Sequence, residues 1–252
     1  MSRTTLLIAI ILFASFELVA NPRPTATTSF NQDWRFHLGD VSDGQRPDLD
    51  DSQWRTLNVP HDWSIEGAFD EKSPAGTGGG ALNGGLGWYR KTFTVPLSSK
   101  GKSVFIDFDG VYRNSEVWIN GNYLGKRPYG YSSFQYELTR FLNFGNKQNV
   151  IAVKVDNSQQ PNSRWYSGSG IYRNVWLTTV NEIHVDHWGT WISTPEVNDR
   201  SATVAVETSV RNQSSRDVQV EVVTDSTIRD GPSSSREAAR SPGMANRLAQ
   251  TT

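Results

Sequence analysis

Three stretches of the chain carry side chains whose types and spacing could do chemistry. In SRWYSGSGIYRNVWL, residues 163–177, Trp165, Tyr166, Tyr172 and Trp176 surround a glycine-broken turn, with Arg164 and Arg173 beside them. Aromatic faces next to planar guanidinium donors suit a polyhydroxylated ligand, whose C–H faces stack while its hydroxyls take hydrogen bonds. The same residue types also suit plain packing, and both readings stand at this point. Arg164, Trp165 and Tyr166 follow VDNSQQPNS on a loop, a position that favours ligand contact. Trp176 falls inside an apolar strand and reads as core, and Arg173 reads as the structural partner of a carboxylate. In VPHDWSIEG, His61 and Asp62 follow a proline and precede Trp63. That pair either orients a loop or meets a ligand. In IHVDHW, residues 183–188, alternation puts His184 and Asp186 on one strand face and His187 on the other. A metal needs three or four converging ligands, so a solvated strand is expected there and no metal site.

Other chemistries lack their carriers. Seven glycines lie in GTGGGALNGGLGW, residues 76–88, but no Gly-Lys-Ser/Thr follows and no strand–loop–helix pattern frames them. A loop at a ligand edge is the better reading, and no nucleotide or other cofactor is expected. No Gly-x-Ser-x-Gly elbow offers a nucleophilic serine. The chain has no cysteine, which excludes disulfides, thiolate zinc sites and thiol nucleophiles. A net charge of -1 argues against nucleic acid and acidic lipid surfaces as partners.

The elements that must position these residues are strands. From Phe30 the apolar period is two. Phe93 and Val95 alternate with Arg90, Thr92 and Thr94; Val104, Ile106 and Phe108 alternate with Phe105, Asp107 and Asp109. Val117 and Ile119 share a face just before Asn120-Gly121, a strong hairpin signal. NVIAVKVDN, residues 149–157, is apolar almost throughout, as a central strand should be, and NVWLTTV follows at 174–180. One short turn is expected within 133–145. Residues 30–180 therefore read as a jelly-roll or related β-sandwich.

A second unit starts near Asn181. Alternation in ATVAVETSV (202–210) and DVQVEVV (217–223) suggests the first strands of an immunoglobulin-like sandwich. Such a domain needs about seven strands, so residues 181–224 form only part of one. No aromatic residue follows Trp191, and residues 225–252 read as a disordered or non-native tail of a truncated chain. At the other end, residues 1–20 have Arg3 in a cationic head and an apolar run from Leu6 to Phe13. That is the layout of a secretory signal peptide, with 21–29 as linker. A periplasmic or secreted protein, free of the membrane after cleavage, is expected.

The segments FNQDWRFHLGD, VPHDWSIEG, GGLGWYRKTFTVP, FDGVYRNSEVWINGNYLGKRPYGYSSFQYELT, VIAVKVDNSQQPNSRWYSGSGIYRNVWL and IHVDHWGTWISTPEV occur in order. Together they resemble the N-terminal part of glycoside hydrolase family 2 β-galactosidases, from about Phe30 to about Val223. The resemblance implies a sugar-binding jelly roll, an immunoglobulin-like domain and then a TIM barrel, missing here, that carries two catalytic glutamates. Asn181-Glu182 imitates an acid motif of the family but sits at the junction of the two sandwiches, so no catalytic residue is expected within this chain. The first domain lends a loop to the barrel's pocket. By resemblance, a sugar-touching acidic residue belongs six positions before Gly170, where this chain has Arg164. Arg164, Trp165, Asp62 and His61 are the residues expected to contact a β-galactoside, with the glycine loop as a weaker candidate. A free-standing carbohydrate-binding module without catalysis is the rival expectation.

Overall fold

The computed structural model describes residues 26–227 and 236–245. The expected signal peptide lies outside them. Among the described residues, fourteen strands follow in chain order: β1 Ala26–Ser29, β2 Trp34–Leu38, β3 Arg55–Leu57, β4 Gly85–Thr94, β5 Ser103–Phe108, β6 Ser115–Ile119, β7 Asn122–Arg127, β8 Phe134–Glu137, β9 Gln148–Asn157, β10 Val175–Val180, β11 Ile183–Val197, β12 Ala202–Asn212, β13 Val218–Thr227 and β14 Arg236–Ala245. Between β8 and β9, Thr139–Phe141 makes the one short 3-10 turn expected there.

Two sheets face each other. One has the order β1-β10-β5-β8, the other β3-β2-β4-β9-β6-β7, and the neighbours pair antiparallel. The alternation read from sequence fills the space between them. Ile106, Phe108 and Val175 come from the first sheet; Trp34, Val117, Ile119, Ile151 and Val153 come from the second, all nearly free of solvent. β9 lies between β4 and β6 with both edges paired; Ile151, Val153 and Val155 are buried on its core side and Ala152 on the other. Asn120 and Gly121 take φ of 49° and 78° and close the β6–β7 hairpin, the double positive φ that a tight primed turn needs.

Two expectations change in the sandwich. It begins at Ala26, because β1 pairs with β10 and so absorbs residues assigned to the linker. Arg90 is buried although alternation put it on the solvent face with Thr92 and Thr94. The segment between β2 and β3 folds over that face. There Arg90 donates from Nε to Asp51 Oδ2 at 2.8 Å and from Nη1 to the carbonyls of Gly44 and Arg46 at 2.6 and 2.9 Å. Gly44 is needed beneath this cover: a Cβ there would stand 2.8 Å from the Trp88 ring, which itself stacks on Trp118.

Beyond the sandwich, β11 pairs with β12 and β13 with β14, the hairpins of the partial immunoglobulin-like unit. Arg236–Ala245 falls within the stretch expected to be unstructured and is instead strand, in register with β13 from Val218↔Ala245 to Thr227↔Arg236. Its sequence, REAARSPGMA, shows no alternation. The unpaired backbone ladder of β13 supplies the drive to pair, which a side-chain pattern does not reveal. The rest of the 225–252 stretch beyond Thr227 lies outside the described residues. Among the described residues no helix is long and apolar enough to cross a membrane.

Candidate functional site

Two loops meet at one end of the sandwich: the connection after β3, which carries His61 and Asp62, and the connection from β9 to β10, which carries Arg164 to Gly170. Asp62 ties them together. Its Oδ1 accepts the backbone N–H of Ser64 at 3.0 Å and of Ser169 at 2.8 Å, and its Oδ2 accepts the Tyr166 hydroxyl. Burial, then the Asp62 contact, push the Tyr166 phenol above its ordinary range, so it remains a donor.

The Gly-Ser-Gly turn is explained by this contact. Gly168 has φ +76°, and a Cβ there would lie 2.7 Å from Asp62 Oδ2. Gly170 has φ +126°, and a Cβ there would lie 2.8 Å from the His61 carbonyl oxygen. Only glycine allows both the backbone geometry and the close approach. Ser169 between them is buried, and its Oγ accepts from Ser64 Oγ at 2.7 Å and Asn157 Nδ2 at 2.8 Å. The glycine-rich loop joins the same layer: the Gly84 carbonyl takes the Trp63 indole N–H at 2.8 Å, and Gly78 packs on the Arg164 carbonyl.

His61 is buried below this layer, edge-on to Phe36. Its Nδ1 shares a hydrogen bond of 2.7 Å with the Tyr89 hydroxyl, and its Nε2 lies 3.3 Å from Glu66 Oε1 without the alignment of a hydrogen bond. Burial lowers the His61 pKa despite the nearby Glu66 carboxylate. Glu66 is held at about 2, chiefly by its paired hydrogen bonds from Arg55 at 2.6 and 2.7 Å.

Of the four predicted contact residues, Arg164 and Trp165 stand on the rim; His61 and Asp62 stand beneath it and hold it. Trp165 is 64% exposed. Arg164 is exposed and makes no ion pair among the described residues. Tyr166 is partly open beside them. The hollow behind this rim, lined by polar groups of Ser64, Asn157 and Asn162, has a volume of about 20 Å³. That is room for one water, far below the roughly 300 Å³ at which ligand pockets begin. The end of the sandwich is therefore a single wall and not a closed pocket.

Two rim residues escaped the sequence reading. Tyr129 and Tyr131 are exposed, their rings 5.7 Å apart, and the Tyr131 hydroxyl contacts Ser167 Oγ at 3.1 Å. They extend the aromatic surface beyond Trp165. The signal was present in RPYGYSS, where two tyrosines flank a turn glycine between strands. Trp176 also departs from expectation. It is half-buried on the outer face of its sheet, not in the core, with its indole N–H on Asp109 Oδ2 at 3.0 Å. Arg173 is exposed, with no ion pair among the described residues.

His184, Asp186 and His187 gather no metal-binding cluster among the described residues. A bulge between Val185 and Thr190 breaks the alternation and brings His187 to within 3.1 Å of Gln135 Nε2. All three residues thus face the outer side of the four-stranded sheet.

Comparison with known proteins fits this architecture. Residues 27–181 match the family model described as glycosyl hydrolases family 2, sugar binding domain. A beta-galactosidase of Bacteroides ovatus is 51% identical over 222 residues, covering 88% of this chain and 26% of that protein. A beta-glucuronidase of Formosa agariphila is 34% identical over 227 residues, covering 81% of this chain and 23% of that protein. The crystal structure of a beta-glycosidase from Bacteroides vulgatus superposes with a TM-score of 0.75 at 40% identity, over 89% of this chain and 30% of that one. The chain thus spans between 23% and 30% of the length of these relatives. With the sandwich, the loop order and the sugar-binding-domain match in agreement, the chain belongs to glycosyl hydrolase family 2.

Proposed function

We propose that this chain forms one wall of the glycoside pocket of an exported β-galactosidase-like hydrolase. The observation that carries the reading is the rim: an exposed Trp165 and Arg164 on a loop pinned from behind by Asp62. An aromatic platform beside a planar donor fits one sugar ring, and a loop held by charge-assisted hydrogen bonds loses little freedom on binding. Retaining hydrolysis needs two carboxyl groups about 5 Å apart across the glycosidic bond. On this proposal they come from a barrel outside these 252 residues, so the chain alone does not turn over substrate. Export through the leader at residues 1–20 is part of the same proposal.

Galactoside preference is supported by the 51% identical relative, which is a beta-galactosidase. The test joins two measurements. Calorimetric titration of the chain with galactose should show weak binding that Arg164→Ala and Trp165→Ala each reduce about three- to tenfold. Tight binding indifferent to both changes would overturn the rim assignment and favour a free-standing carbohydrate-binding module. Assay of the barrel-bearing protein with chromogenic galactoside and glucuronide should show faster release from the galactoside. The reverse order would show that the Arg164 cation serves a uronate.

A further inference from the structure

The outer face of the four-stranded sheet is roofed by β11, leaving a cleft of about 680 Å³. We propose that this cleft is a second carbohydrate site, for a neutral saccharide of one or two rings, separate from the loop rim. The proposal goes beyond the pocket-wall function and does not depend on it.

The floor is built by strand register. Trp176 on β10 pairs directly with Asp107 on β5, which pairs directly with Gln135 on β8. An indole face, a carboxylate and a carboxamide therefore lie in one row on the side of the sheet opposite Ile106 and Phe108. The roof comes from the bulge in β11. Trp188 takes φ 52° there, lies against the His187 ring at 4.5 Å and is 74% exposed. Floor and roof each present an indole, with planar hydrogen-bonding groups between them, the combination that fits C–H faces and ring hydroxyls. The cleft volume falls in the range of ligand pockets, roughly 300–1,000 Å³, unlike the one-water hollow behind the rim.

The polar groups are already oriented. Asp107 accepts from Gln135 Nε2 at 2.7 Å and from Thr178 Oγ1 at 2.9 Å. Asp109 accepts from the Trp176 indole at 3.0 Å, and Asp186 accepts from Arg211 at 2.8 Å. Side chains fixed before binding lose less entropy when a ligand arrives. The charge is selective too: three carboxylates, Asp107, Asp109 and Asp186, line the cleft against one guanidinium, Arg211, and the imidazoles of His184 and His187, the latter 3.6 Å from Asp107. A uronate or phosphate would be repelled and a neutral sugar would not. The rim, with its free Arg164, has the opposite sign.

The experiment is calorimetric and tryptophan-fluorescence titration of the chain with lactose, cellobiose and glucuronic acid, in parent, Trp188→Ala, Asp107→Asn and Trp165→Ala proteins, each checked for fold by circular dichroism. The expected result is saturable binding of a neutral disaccharide that Trp188→Ala and Asp107→Asn weaken about five- to tenfold. Trp165→Ala should remove only the weak rim contribution to the lactose titration, and glucuronic acid should not compete at the cleft. No binding of either disaccharide, or a Trp188→Ala protein that titrates like its parent, would overturn the cleft site. Loss on Trp165→Ala alone would do so while leaving the rim reading intact.

Discussion

In the sandwich, Trp34, Phe108 and Ile151 have no solvent exposure, and even Arg90 is buried with its partners in place. In β11 and β12, apolar side chains stand open: Trp191 is 69% exposed, and Ile192 and Val204 are close behind. The two regions share a composition of alternating strands, so alternation alone does not create a core. A second layer does. Where two sheets face each other, each buried aliphatic or aromatic side chain contributes about 1.5–3 kcal/mol. A two-stranded hairpin gains little of that, and isolated hairpins are marginal in water. Stability should therefore be unequal along the chain.

The largest expected difference is in local opening. Limited proteolysis should cut beyond Val180 on the order of a hundredfold faster than within 26–180, leaving a resistant fragment read by mass spectrometry. Uniform digestion would abolish the contrast. Next comes Arg90→Met, which strands Asp51 and the Gly44 and Arg46 carbonyls; chemical denaturation should show a loss of about 3–5 kcal/mol. Asp62→Ala removes the acceptor for two backbone N–H groups and the Tyr166 hydroxyl. It should cost about 2–3 kcal/mol and weaken sugar binding at the rim, while Asp62→Asn costs less.

Acid should act in two windows. Neutral His61 is favoured by the fold, so its contribution is complete above the ordinary value near 6.5 and is lost as pH falls through the lowered one. Glu66 contributes fully above 4.5, and that contribution is lost as pH falls towards about 2. Glu66 is partly exposed and screened, so its share should stay below about 1 kcal/mol. Melting temperatures against pH should flatten in the upper window for His61→Gln and in the lower one for Glu66→Gln. The smallest effect belongs to the hairpin: Trp191→Ser should change stability by no more than about 0.5 kcal/mol. A larger loss would mean that β11 and β12 have a packed partner layer.

What was legible in the sequence was whatever depends on near neighbours. Val117, Ile119, Asn120 and Gly121 announced a buried strand and a primed turn without outside help. The inward row of β5 was equally plain. Arg90 was not, because its cover comes from a loop some 40 residues away in sequence, which leaves no mark on the alternation around it. Asp62 and His61 were noticed as a pair, but their positioning role depends on Ser169, 107 positions from Asp62, and on Tyr89. The outer cleft was hidden for a related reason. Trp176, Asp107 and Gln135 align only once three strands are in register, and His187 joins them only because a bulge reverses its side.

The pairing of β1 with β10 has a practical consequence. Ala26 lies opposite Thr179, so the first and last strands of the sandwich run side by side, about 5 Å apart. The body between them is a cartridge with both leads at one corner. It should tolerate being spliced into a surface loop of an unrelated host, or having its ends joined and a new opening cut at the Asn120-Gly121 turn, with little change in its interior.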